Sequence, residues 1–198
     1  MSFTFPPFLL PYNTSPATYL TSNPGATKLV VGAVITNHHD RVLLIQRAAH
    51  DGFPLKWECP GGCVDDADES VLHAVCREVL EETGLVVTRV LGVVDQTEFE
   101  GKEEGWRWRK ITFLVEVEVQ SGDNLEVEGG SGCGEGVLGV RLDPAEHCDA
   151  VWASEEEVMA GSCGGREIEF AYEEQRKLVL KVLRGCRSGV ETVVGWVV

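Results

Sequence analysis

Residues 76–84 read CREVLEETG, and the placing of their carboxylates decides how the chain is read. Glu78, Glu81 and Glu82 fall at i, i+3 and i+4 with no lysine among them. On a helix that spacing crowds all three onto one face. Like charges so arranged cost about 0.2–0.5 kcal/mol per pair on an exposed helix, and more where partly buried. The surrounding stretch, DDADESVLHAVCREVLEETG (65–84), is the strongest helix signal in the chain. Asp66 or Asp68 can cap its start, and Gly84 suits the stop. At about 100° per residue, Leu72, Val75, Cys76, Val79 and Leu80 form the apolar arc, and the three glutamates an arc outside that stripe. Arg77 flanks them, and Glu69 lies two turns earlier.

Working outward, KLVVGAVITN and RVLLIQR read as two strands joined by a turn at HHD, followed by a loop ending in WECPGG. Beyond the helix, LVVTRVLGVVDQTEF and WRKITFLVEVEV are strand-like, and EGGSGCGEG reads as a Gly-rich surface insertion. HCDAVWAS reads as a last strand, SEEEVMAG as a short helix, and EFAYEEQRKLVLKVLRG as a longer amphipathic one. That order implies an α/β fold, a mixed sheet flanked by helices. Residues 1–27, with five prolines, read as an irregular arm, 28–185 as the domain, and 186–198 as an apolar tail.

The composition of the 198 residues is that of a globular protein, apart from its net charge of −15. Such a field repels nucleic acid and anionic membranes, and an anionic small substrate then needs cations or a local basic patch. No apolar run approaches the roughly 18 residues of a membrane span. The N-terminus lacks the basic region of a signal peptide and the arginines of a transit peptide, so a cytoplasmic setting is expected. Seven cysteines, none in a CxxC pair, suit reduced thiols, with Cys76 packing in the core.

A solvated acidic face normally interleaves lysine with glutamate; here Arg77 alone offsets four carboxylates. Three carboxylates on one rigid face suit hard divalent cations such as Mg²⁺ or Mn²⁺, which share their remaining positions with water and substrate phosphates. The mutual repulsion of the glutamates is then what binds metal. A calcium loop starting at Asp66 fails, because Val71 stands where glycine is needed and Arg77 where glutamate is needed.

Residues 62–85, GCVDDADESVLHAVCREVLEETGL, resemble the Nudix box, G-x5-E-x7-R-E-U-x-E-E-x-G-U with U apolar. Glu69, Arg77-Glu78-Val79, Glu81-Glu82 and Gly84-Leu85 agree with it, and KWECPGG looks like the usual lead-in. Six residues rather than five separate Gly62 from Glu69, so the loop into the helix carries an insertion. The resemblance implies an α/β/α sandwich around a mixed sheet and hydrolysis of a nucleoside diphosphate linked to another moiety X. It implies Glu78, Glu81 and Glu82 as metal ligands, helped by the Gly61 or Gly62 carbonyl, with Arg77 pairing with Glu69 as structural support. Glu78, Glu135 and Glu146 are the candidate general bases. A Nudix-fold module that binds a nucleotide without cleaving it is the alternative.

Arg47 ends the second strand, either as a surface arginine or facing the nucleotide, as an arginine there often does in proteins this sequence resembles. GWRWRK (105–110) is the basic-aromatic cluster of an acidic chain. As a strand it sends Trp106 and Trp108 to one face, to stack on a base or fill core, and Arg107 and Arg109 to the other, to draw in the diphosphate. Trp57 reads as packing and His147 as a surface residue at a strand start. The expected partner is a small nucleotide, and the apolar tail suggests a homodimer.

Overall fold

In KLVVGAVI and VLLIQR the β-branched and leucine side chains alternate between two apolar environments, and each strand buries both of its faces. A computed structural model describes residues 2–37, 39–101, 105–118 and 139–187. β1 (Lys28–Ile35) runs parallel to β5 (Arg107–Val117), which pairs antiparallel with β4 (Val87–Glu100). This makes a mixed sheet in the order β1-β5-β4. β2 (Val42–Arg47) lies between β3 (Trp57–Glu58) and β6 (His147–Ala153), antiparallel to both. The turn after β1 does form, but the two strands meet at a single bridge, Thr36 with Val42, before diverging into separate sheets.

Two apolar cores result. Leu29, Val31, Ala33 and Ile35 of β1 and Leu43 and Ile45 of β2 pack with α2 (Val71–Thr83). Val34, Val42 and Leu44 point the other way, into a core with Val158 of α3 (Glu155–Ala160) and Leu178, Val179 and Leu183 of α4 (Glu173–Arg187). Period-two alternation in strands covered on both sides is what an α/β/α sandwich requires. A two-stranded ribbon, β7 (Ser162–Cys163) with β8 (Arg166–Glu167), joins α3 to α4. No helix among the described residues is long and apolar enough to cross a membrane.

Residues 1–27, expected to be irregular, contain a 3₁₀ turn at Pro7–Tyr12 and α1 (Pro16–Ser22), capped by Ser15. Leu9 and Tyr19 are buried in the first core, and Thr4 bridges to Arg89 at the edge of β4. Prolines at the first turn of each helical piece are compatible with helix, because the N–H they lack is unpaired there anyway. The Gly-rich stretch with Glu135, and residues 188–198 of the apolar tail, lie outside the described residues.

Candidate active site

The helix that carries the glutamates starts two or four residues later than its acidic lead-in suggests. Ser70, rather than Asp66 or Asp68, is the N-cap, its Oγ accepting from the His73 N–H at 3.2 Å. Serine wins because its short side chain reaches the third N–H of the helix, while Asp65 and Asp68 are occupied with each other. Asp68 accepts from the Asp65 N–H at 2.8 Å. At the far end Gly84 takes the left-handed conformation (φ 69°), its N–H returning to Leu80 O. The apolar arc is buried as read, Leu80 only partly.

The glutamates lie outside the apolar stripe, as their spacing implied, yet two of the three are buried. Glu78 is 8% exposed and Glu82 5%, while Glu81 stands at the rim. They turn into a cleft of about 740 Å³ whose walls include Arg47, Gly61, Gly62, Glu146 and His147. The Gly61 N–H donates to Glu82 Oε2 at 2.6 Å. Gly62's carbonyl accepts from Val31 N–H, which leaves Gly61 as the candidate carbonyl ligand. Arg77 donates from Nη1 to both Glu78 and Glu81 at 2.9 Å.

β6 brings the remaining groups. Between Gln46 and Arg47 the register with β6 slips by one, so Asp149 opposes Gln46 and His147 opposes Arg47. Such a bulge re-aims the strand end. Here it buries His147, expected at the surface, to 2% exposure at the cleft wall. Its Nε2 lies 3.3 Å from Glu58 Oε1 and 3.9 Å from Glu82 Oε1. Glu82, Glu146 and His147 each present a ligand atom, all within 4.8 Å of one another.

Electrostatically the cleft resists its own charge. Burial raises the Glu78 carboxyl, Arg77 opposes that rise, and Glu81 and Glu146 add to it. Burial lifts Glu82 well above its ordinary value, with Glu78, Glu58 and Glu146 reinforcing the shift against the Gly61 N–H. A buried carboxylate crowded by others is relieved by a cation placed among them. The donor set, carboxylate oxygens with a backbone carbonyl, suits Mg²⁺ or Mn²⁺.

Arg77 does not pair with Glu69. It donates to Asp68 at 2.9 and 3.0 Å and to the Cys63 carbonyl at 3.0 Å, while Glu69, outside the turn, reaches His73 at 3.2 Å. Asp68 is folded under Arg77 by the Asp65–Asp68 turn, whereas Glu69 directly precedes the cap and points outward. Burial alone would raise Asp68; the Arg77 bonds and the Asp65 N–H outweigh it and hold it below the ordinary carboxylate range. Arg109 is not at the cleft either. It is buried against the first core, bound to Glu98 at 2.6 Å and to Asn23 O, with Tyr19 beside it. Arg107 is exposed at the start of β5, its backbone bonded to Thr27.

Arg47 does line the cleft, with its guanidinium held by Asp51, the Gly52 carbonyl and Glu58. Trp57 is buried as expected, its Nε1 donating to Glu167 O at 2.8 Å. Trp106 and Trp108 meet edge to face, and Lys28 lies over the Trp106 ring. Sequence reasoning missed Glu58, because a two-residue strand has no periodicity to read.

The profile described as the NUDIX domain matches residues 26–171. The chain belongs to the Nudix family. Among curated Nudix relatives, the zebrafish (Danio rerio) protein named 8-oxo-dGDP phosphatase NUDT18 is 36% identical over 87 residues, covering 44% of this chain and 24% of its own length. Zebrafish m7GpppN-mRNA hydrolase NUDT17 is 30% identical over 139 residues, covering 66% of this chain and 42% of its own length. The chain thus spans less than half the length of these relatives. Among solved structures, a MutT protein from Methanosarcina mazei Go1 superposes with a TM-score of 0.50 at 27% identity, over 83% of this chain and 98% of that one. A Nudix hydrolase from Nitrosomonas europaea gives 0.55 at 22% identity, over 80% of this chain and 89% of that one, and shares the fold.

Proposed function

We propose that this Nudix chain is a cation-dependent hydrolase of the diphosphate linkage in a nucleoside diphosphate joined to another moiety. The observation that carries this reading is the burial of Glu78 and Glu82, one helical turn apart, facing Glu146 across an open cleft. A fold gains nothing from burying mutually repelling carboxylates unless something cationic sits among them. Glu78, Glu81 and Glu82 would hold Mg²⁺ or Mn²⁺, with the Gly61 carbonyl. When bound, the cation supplies charge neutralisation at the diphosphate and a water acidified toward neutral pH.

The chain's own groups do the rest. The Gly61 N–H fixes one oxygen of Glu82, and Arg77 fixes Glu78 against Glu81, so the carboxylates are oriented before any ligand arrives. Glu146 and Glu78 both line the cleft, and either would take the proton of an attacking water. Arg47 lies at the cleft wall, where it can exchange Asp51 for a phosphate oxygen. Two zebrafish relatives, an 8-oxo-dGDP phosphatase and an m7GpppN-mRNA hydrolase by name, fit this class of substrate.

The test is a panel of nucleoside diphosphate derivatives incubated with Mg²⁺ or Mn²⁺. Release of a nucleoside monophosphate, abolished by EDTA, is expected. Glu82→Gln should fold and lose more than the roughly 10–100-fold typical of groups that only support a metal ligand. Nucleotide binding without turnover would instead make the chain a binding module, and full activity in Glu82→Gln would remove the carboxylates from the reaction.

A further inference from the structure

His147 is a buried polar side chain that the proposed reaction does not use. Both ring nitrogens are enclosed, yet Nδ1 has no hydrogen-bonding partner among the described residues. A histidine kept for packing alone is normally satisfied at both nitrogens, because an unpaired polar atom in the interior is costly. Here every polar contact is on one side, where Nε2 faces Glu58 Oε1 at 3.3 Å and Glu82 Oε1 at 3.9 Å.

The surroundings say what that contact does. Glu58 Oε1 also accepts from Arg47 Nη1 at 2.5 Å, so Glu58 is anchored from β2 and receives the Nε2–H from β6. Glu82 has its Oε2 tied to the Gly61 N–H, and its Oε1 is the oxygen turned to His147. The imidazole Nε2 faces two carboxylates, Glu58 on β3 and Glu82 on α2. Its Nε2 is turned to the Glu82 oxygen other than the one that accepts from the Gly61 N–H. The bulge at Gln46/Arg47 places it there, since without the slip Cys148 would oppose Arg47.

We propose that Glu58 and His147 form a hydrogen-bonded clamp that orients the Glu82 carboxylate and so sets how tightly the cleft holds a divalent cation. This rests on the hydrolase reading above. His147 is a positioning residue, acting through Glu82, and it is not itself a ligand. Groups that hold a ligand from behind typically contribute about 10–100-fold to metal affinity.

The experiment is a Mn²⁺ titration of the full chain, followed by electron paramagnetic resonance, with nitrogen coupling measured on the bound ion. Four proteins are compared: parent, His147→Leu, His147→Asn and His147→Gln. The glutamine amide nitrogen reaches about where Nε2 lies and can donate to Glu58; the asparagine amide falls near Nδ1 and cannot. The clamp requires about 10-fold or weaker Mn²⁺ binding in the Leu and Asn variants, recovery in Gln to within about threefold of the parent, and no histidine nitrogen coupling in the parent. If Leu does not fold, the contrast between Asn and Gln decides. Unchanged affinity in a folded Leu or Asn variant overturns the clamp, and so does nitrogen coupling in the parent, which would make His147 a ligand. A parent that binds no Mn²⁺ and hydrolyses nothing sinks the hydrolase reading and the clamp together. A parent that does both, with variants unchanged, sinks the clamp alone.

Discussion

Glu82 joins the physics of the helix to the chemistry of the cleft. An unfolded glutamate takes up its proton near the ordinary 4.5, whereas the folded, cation-free chain holds the Glu82 proton well above that. Protonation therefore favours the folded state. That contribution is fully present below the unfolded value and is lost as pH rises through the folded one. In EDTA, melting temperature should fall as pH is raised from 4.5 toward neutrality, and the slope should shrink in Glu82→Gln. At neutral pH Glu82→Gln should melt higher than the parent in EDTA; each ~1 kcal/mol corresponds to roughly 2–4 °C in a chain of this size. Saturating Mg²⁺ should reverse the order by stabilising only the parent. A parent melting curve insensitive to pH in EDTA would contradict the buried, repelled carboxyl.

At the scale of elements, the loop from Gly61 to Ser70 joins the sheet to the acidic helix. Arg77 holds that loop through Asp68 and the Cys63 carbonyl. Asp68→Ala should cost about 1.5–3 kcal/mol in urea unfolding, the range for a hydrogen bond to a charged group. Glu69→Ala, outside the turn, should stay within about 0.5 kcal/mol of the parent. The opposite ranking would restore the Glu69 brace. The glycines before the loop differ in kind. A Cβ on Gly61 would stand 2.2 Å from the Val31 carbonyl oxygen at φ +150°, and β1 cannot move away. Gly61→Ala should therefore destabilise by about 3 kcal/mol or more. A Cβ on Gly62 would stand 2.6 Å from the Glu78 carboxylate, which can swing aside. Gly62→Ala should fold and bind Mn²⁺ about 10-fold more weakly in the same titration.

At the scale of the whole molecule, the net charge of −15 opposes the approach of an anionic substrate. Arg109, which the sequence offered as local compensation, is instead paired with Glu98. Raising ionic strength from about 0.01 to 0.15 M shortens the screening length from roughly 30 to 8 Å. With cation kept saturating, kcat/KM for a free nucleotide substrate should then rise severalfold. A fall instead would mean that a basic surface steers the substrate in.

Much of this was legible without coordinates because it depends on local spacing. The i, i+3, i+4 glutamates, the glycine that ends their helix and the alternation of β1 and β2 follow from backbone geometry that neighbours in sequence share. The α/β class and the place of the acidic helix came from that, and the α/β/α sandwich from the resemblance to the Nudix box. Tertiary structure alone decided which charges meet. Asp68 displaced Glu69 because a turn folded it under Arg77. Arg109 was drawn to Glu98 across the β4–β5 pair. Glu58 and His147, 89 positions apart, met at Glu82 through a one-residue slip between strands. Spacing fixes what lies on a face, but contacts between distant segments depend on register and packing, which no short stretch encodes by itself.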